Sequence, residues 1–410
     1  MKQLSLNVKA NQSPIINFWI LFCVFFFNPF LCFLLVIYHL GKEGSLSTRK
    51  NAYFFISLFL GFVAYTQNTK TGDLVRTYED IVNSHYNLSY GFSFFILQSK
   101  HILYDIVNQT IYSVTREVRL VSLFWIFMLF YCTLMAIENI VQIEKYRLTR
   151  RELCVLIVAT IFCFVIFTQV TELMKQGVAT SLFLYAFSQL LRGKKVMCTV
   201  VIIAAINIHF SVFFLLPVLF VRRIPPLALL TLLFVSFFFR EFGLMEFILS
   251  KFESIPFLGE FFMMESVLKS AESYQNQMDN FFNSDSPYFL FQFWSFFLIT
   301  ILFCYFIKKE FFINVCLSFL IILNFCYKDN HNYTRLLTML FPFYIALFFT
   351  IKQINNKTTK NSITNILLFC TFLANARIFV SRITSTGYGT SFLDNSLLNL
   401  LYYPSFMYLL

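Results

Sequence analysis

Residues 118–137 read VRLVSLFWIFMLFYCTLMAI, with a single charge, Arg119, near the start. Nothing in the stretch alternates polar with apolar, so it is not a strand with one wet face. Its length matches the ~20 residues an α-helix needs to cross ~30 Å of hydrocarbon. In hydrocarbon every backbone N–H and C=O must be bonded within the structure, which leaves helices or a closed barrel. Barrel strands alternate, and this stretch does not. The sequence here specifies a helix whose solvent is lipid.

The same texture continues outward in both directions. Of 410 residues, 58% are hydrophobic and 13% charged, whereas soluble domains carry about 25% charged residues. Mean hydropathy is +0.69. Phenylalanine alone supplies 58 positions, which suits a lipid-facing wall and would aggregate in water. Further apolar runs occupy 15–39, 52–66, 153–171, 173–190, 196–220, 225–242, 288–307, 311–327, 336–351 and 363–380, and a shorter one, 397–410, could lie in the interface. The expected fold is all-α: a polytopic integral membrane helical bundle of about eleven (10–12) segments, residues 1–410 forming a single transmembrane domain. The first run is too long for a signal-peptide core and lacks a small-residue cleavage site, so it is expected to stay as an anchor.

Net charge is +11. The basic residues sit in short clusters between apolar runs, which points to membrane orientation and away from nucleic acid. Lys42, Arg49 and Lys50, then Lys145, Arg147, Arg150 and Arg151, then Arg192, Lys194 and Lys195, then Lys308 and Lys309, and finally Lys352, Lys357 and Lys360 all favour the cytoplasm. Run 196–220 strains this pattern, with Lys194 and Lys195 before it and Arg222 and Arg223 after it. A single crossing would strand one pair outside, whereas a re-entrant hairpin broken near Asn207 keeps both inside, and the hairpin is the preferred reading. Lys2 and Lys9 before the first run, and Asn28-Pro29 within it, leave the side of the N-terminus open. Two long loops then face outward, about 67–117 and 243–287. The second is acidic, with apolar residues at helical spacing that suggest helices lying on the membrane surface.

Ionisable groups near a bilayer core cost ~2.5–3.5 kcal/mol each, so each one is a functional candidate. His209, in AAINIHFSVFFLLP, lies near mid-membrane and is either a base or sugar ligand, or a structural histidine bonded to a neighbouring helix. Lys175 and Gln176 open ELMKQGVATSLFLYAFSQLL at the outward edge, where the lysine either holds an anionic head group or snorkels beside Glu172. Gly177 and Ser181 form a small-xxx-small pair suited to helix packing. Arg335, in KDNHNYTRLLTMLFPFY, enters a helix from an outward loop and offers a planar donor fork to phosphate oxygens, or else an interfacial anchor. His331 shares its face if that helix starts early. Asp73, Arg76, Tyr78 and Asp80, in TGDLVRTYED, suit sugar binding or a plain solvated loop. The ten cysteines form no CxxC pair and read as apolar fillers. There is no Gly-rich phosphate loop, HExxH or nucleophile elbow, and His101 to Asp105 has one residue too few between them for the acyltransferase pattern. The expected site therefore uses neither metal nor cofactor.

At these points the sequence resembles the EpsG-like branch of the Wzy-type polysaccharide polymerases. The resemblance rests on the outward GDLVRTY, on KQGVATSLFLYAFSQLLRGKK, on INIHFSVFFLLP and on NHNYTRLLTMLFPFY, in that order over roughly 50–350. Lys175 stands where the family usually has Arg, so the charge remains but the bidentate fork does not. The resemblance implies a glycosyltransferase at the outer face of the bacterial cytoplasmic (inner) membrane, polymerising undecaprenyl-pyrophosphate-linked oligosaccharide repeat units into O-antigen or capsular polysaccharide. Its partners would be those lipid-linked oligosaccharides, membrane lipids and a chain-length regulator. Arg335 and Lys175 would grip the pyrophosphate, Gln176, Arg76 and Tyr78 would bind substrate, and His209 or Asp73 would be the catalytic base. A flippase for the same lipids should show repeat symmetry between halves, and none is visible. A membrane O-acyltransferase using His209 is the other alternative.

Overall fold

The computed structural model describes residues 18–41, 46–66, 68–69, 73–88, 101–143, 148–165, 167–240, 287–306, 311–328, 330–384 and 390–391, with Gly91, Phe95, Ser99, Phe242 and Lys251 as isolated positions. Among these the architecture is all-α. In chain order the helices are α1 (Phe18–Phe27), α2 (Pro29–Gly41), α3 (Leu46–Tyr65), α4 (Asp73–Leu88), α5 (Ile102–Thr115), α6 (Arg119–Val141), α7 (Arg150–Ala159), α8 (Phe167–Glu172), α9 (Met174–Leu191) and α10 (Lys195–Ile208). They continue as α11 (Pro226–Phe238), α12 (Pro287–Phe306), α13 (Phe311–Cys326), α14 (Asn330–Thr338), α15 (Phe341–Ile351) and α16 (Lys357–Thr384). Asn68–Thr69 pairs antiparallel with Thr390–Ser391, the one strand contact among the described residues.

Of the described helices, only Arg119–Val141 is long and apolar enough by itself to cross a membrane; other apolar helices, such as Pro29–Gly41 and Lys195–Ile208, have 10–17 residues. The described residues thus show one such crossing out of the eleven expected, and several of the apolar runs are interrupted by local chemistry. Run 15–39 breaks at Pro29, which has no N–H to give, while Asn28 Oδ1 accepts the Leu31 N–H at 2.7 Å. Cys32 Sγ then lies 3.5 Å from the Leu21 carbonyl, so α2 doubles back along α1. Run 153–171 widens into a π turn at Thr160–Phe164 and ends with Val165 extended. Run 336–351 falls in two, with Pro342 in the first turn of α15. The long connection 67–117 carries α4 and α5. The acidic stretch 243–287 lies almost wholly outside the described residues, as does 397–410.

Run 196–220 reverses direction, and the break falls at His209, two residues beyond Asn207. There the backbone is extended (φ −158°, ψ 125°), and Phe210–Arg223 follows as a 3₁₀ arm. The arm ends beside the start of α13, where Asn314 Nδ2 donates to the Val221 and Ile224 carbonyls at 3.3 and 2.8 Å. Phe311, at that same start, stacks on Phe187 near the C-terminus of α9. Both feet of the hairpin, Lys194–Lys195 and Arg222, thus belong to one end of the bundle.

That end is built around a buried carboxylate. Glu138 is 0% exposed and accepts from Arg49 Nε and Nη2 at 3.0 and 2.8 Å, from Tyr53 Oη at 2.7 Å and from Gln142 Nε2 at 2.9 Å. Next to it Asn139 accepts from Arg192 at 2.7 Å and donates to Ser188 at 3.0 Å. The pattern ties the start of α3 to the ends of α6 and α9, so α6 and α9 run parallel and α3 runs against them. Small residues let the three approach closely. A Cβ added at Gly61 would lie 2.6 Å from the Leu123 carbonyl oxygen, and one at Gly177 would lie 2.9 Å from Leu129 Cδ1.

The Gly61 contact is with backbone, which cannot rotate away. Gly61→Ala should force α3 from α6 at a cost of about 1–3 kcal/mol, read as a lower unfolding temperature in detergent. An unchanged melting curve would mean that α3 and α6 do not pack through this position.

Candidate functional site

Arg192 and Lys175 lie at opposite ends of α9, about 25 Å apart at 1.5 Å per residue. At the Lys175 end a cavity of about 220 Å³ opens, and five separate pieces of chain line it. Helix α4 contributes Arg76, Thr77 and Asp80; Arg76 and Asp80 are four residues apart, one turn on the same face. His101 enters from the residue before α5, and Leu173 through Gln176 from the start of α9. His209 is the reversal point itself, and Arg335 comes from α14.

These pieces are held in place by contacts behind the lining. The outer helices α4 and α5 dock on α6 through a polar seam: the Tyr78 and Ser122 hydroxyls are hydrogen-bonded at 2.6 Å, and Trp125 Nε1 donates to Asn108 at 2.6 Å. Tyr104 stacks on Trp125 with ring centres 5.0 Å apart, and Gln109 donates to the Ile81 carbonyl at 2.7 Å. Burial pushes the Tyr78 hydroxyl up to about 12, so it stays a neutral phenol. Its role is docking; it is not among the residues that line the cavity. Arg335 rides between Thr334 and Leu336, both buried, so its own half-buried side chain is carried on a fixed turn.

Electrostatically the cavity is cationic. Arg76, Lys175 and Arg335 face one carboxylate, Asp80, among the described lining residues. Lys175 Nζ lies 5.1 Å from the centre of the Tyr104 ring, an attraction that steadies an ammonium without neutralising it. Asp105, behind Lys175, has its carboxyl pushed up by burial, with Lys175 pulling the other way. Gln176 is 2% exposed, and neither its Oε1 nor its Nε2 has a hydrogen-bond partner within the protein. A buried amide left unpaired costs about 1–3 kcal/mol, so its position on the cavity wall is spent on something other than the fold. His101 and His209 stack nearly parallel, 5.4 Å between ring centres and 14° between planes.

Of the residues singled out from sequence, Lys175, Gln176, His209, Arg335 and Arg76 meet at this cavity and Tyr78 stands behind it. Asp73 opens α4, but its side chain lies outside the described residues, as do those of Glu172 and His331. Sequence pairs His101 only with Asp105, and nothing in its spacing ties it to His209; the two rings meet only once α5 has docked through Tyr104 and Asn108. Asp80 was visible as part of TGDLVRTYED, but only the helical turn from Arg76 selects it.

The family model described as EpsG family matches residues 50–393. No curated protein and no solved structure matches the chain.

Because Gln176 has no protein partner to lose, Gln176→Met should leave the unfolding temperature unchanged or raise it slightly. A drop of several degrees would show that the amide is structural.

Proposed function

The chain belongs to the EpsG family, and from that premise we propose that this membrane protein is a multi-pass glycosyltransferase that polymerises lipid-linked oligosaccharide repeat units. Family membership points to a polysaccharide-polymerase-like role. On this proposal the substrates are undecaprenyl-pyrophosphate-linked oligosaccharides, and the reaction takes place at the outer face of a bacterial cytoplasmic membrane. The growing chain leaves its lipid diphosphate and joins the terminal sugar of a new lipid-linked unit, making O-antigen or capsular polysaccharide.

One observation carries the reading: three cations from α4, α9 and α14 line a single cavity at the end of α9 remote from Arg192. Basic clusters favour the cytoplasm. With Arg49, Arg192 and the hairpin feet inside, the cavity opens outward. A diphosphate is already a good leaving group, so the protein's task is to stabilise the charge that develops on it and to hold the acceptor in line. Arg335 and Lys175 grip the diphosphate, with Arg76 as the third cation on the wall. The arginine forks bind phosphate oxygens in pairs, whereas Lys175 acts as a point charge. Gln176 supplies one donor and one acceptor to a polar group of the sugar. A base must also remove the acceptor hydroxyl's proton; the sequence offers His209 and Asp73 for it.

Arg335→Ala should abolish polymer while leaving single repeat units on the cell surface, as seen on a gel of the surface glycan. A normal polymer ladder would remove Arg335 from the site. Loss of all surface units would indicate a transport role.

A further inference from the structure

His209 and the base it has been taken for can be separated by asking where its proton is. The backbone N–H of Ser211 points at His209 Nδ1 at 3.1 Å, and the Ser211 hydroxyl lies 2.8 Å from the same atom. A backbone N–H can only donate, so Nδ1 must accept and carries no proton. In the neutral ring the proton is then on Nε2, and a second proton at Nδ1 would face the Ser211 N–H head-on. From this geometry we propose that His209 serves the cavity as a neutral Nε2–H donor, and that the carboxylate of Asp80 takes the acceptor's proton. The proposal rests on the polymerase reading above.

Elimination among the described lining residues leads to Asp80. Arg76, Lys175 and Arg335 are cations with no lone pair to offer. His101 lies stacked on His209 in a wall that already holds three cations, and a proton there would add a fourth charge against them. Asp80 shares the wall, lies one turn from Arg76, and is exposed, so a proton collected there can pass to solvent. In the step itself the acceptor hydroxyl oxygen bonds to the anomeric carbon of the donor chain. The bond from that carbon to the diphosphate oxygen breaks, its electron pair leaving with the diphosphate. The hydroxyl proton goes to the Asp80 carboxylate. His209 Nε2–H donates to an oxygen of the bound substrate throughout and exchanges no proton.

The two roles predict different rescues. The assay uses the full-length protein in detergent with lipid-linked repeat units isolated from cells that lack polymerase. Glutamine can donate where Nε2–H does but cannot act as a base, so His209→Gln should keep activity within about tenfold of native while His209→Phe loses it. Asp80→Asn should lower the turnover rate by about 10²–10⁴ with little change in KM, and Asp80→Glu should recover part of it. His209→Gln as inactive as His209→Phe, with both folded, would make His209 the base and overturn the proposal. So would Asp80→Asn at native rate. Should the His209 variants not fold, the Asp80 pair decides alone, since that side chain is exposed on α4. If the native protein makes no polymer from these units, the polymerase reading itself falls; if the native protein polymerises them and Asp80→Asn does so at the same rate, only this assignment does.

Discussion

A helix that begins inside an apolar bundle leaves backbone donors with nowhere to go, and this chain begins one directly after His209. Water could satisfy them at a surface, but deep in lipid an unbonded N–H costs several kcal/mol. The imidazole solves the problem locally by accepting the Ser211 N–H. That bond supports the reversal that brings both basic feet of the hairpin to one end and sets His209 in the cavity wall.

The two ends are built on opposite electrostatic principles. Around Glu138 every charge has a partner: a buried carboxylate takes four hydrogen bonds from three side chains, and the arrangement fixes helix direction. Removing one member of such a cluster would leave buried charge uncompensated, which is why it is structural. The cavity wall instead gathers three cations and one carboxylate among the described lining residues, beside a buried amide with no hydrogen-bond partner among them. Unfilled polar capacity on a fixed scaffold is what a binding site for an anionic, hydroxyl-rich ligand requires.

Much of this was legible in the sequence, and the limits have physical causes. The continuous apolar run at 118–137 gave a helix because periodicity and length leave no other structure in lipid. The hairpin was legible from Lys194, Lys195, Arg222 and Arg223, because charge at the feet of a segment constrains its path. The position of the break was off by two residues, since Asn207 and His209 are equally polar and only the Nδ1 acceptor distinguishes them. The π turn at Thr160–Phe164 has no sequence signal comparable to Pro29. Within α4, sequence could name Asp73, Arg76, Tyr78 and Asp80 but could not say which face of the helix meets the cavity. That depends on how Tyr78 and Trp125 seat the outer helices on α6.

The central claim is that the cationic cavity opens away from the cytoplasm and holds a lipid diphosphate. Lys175→Cys, in a protein whose ten native cysteines have been replaced, tests both halves with a membrane-impermeant thiol reagent on right-side-out vesicles. The account predicts that the thiol is labelled from outside and that undecaprenyl diphosphate slows the labelling. Labelling only from the cytoplasmic side, or at a rate indifferent to the diphosphate, would contradict it.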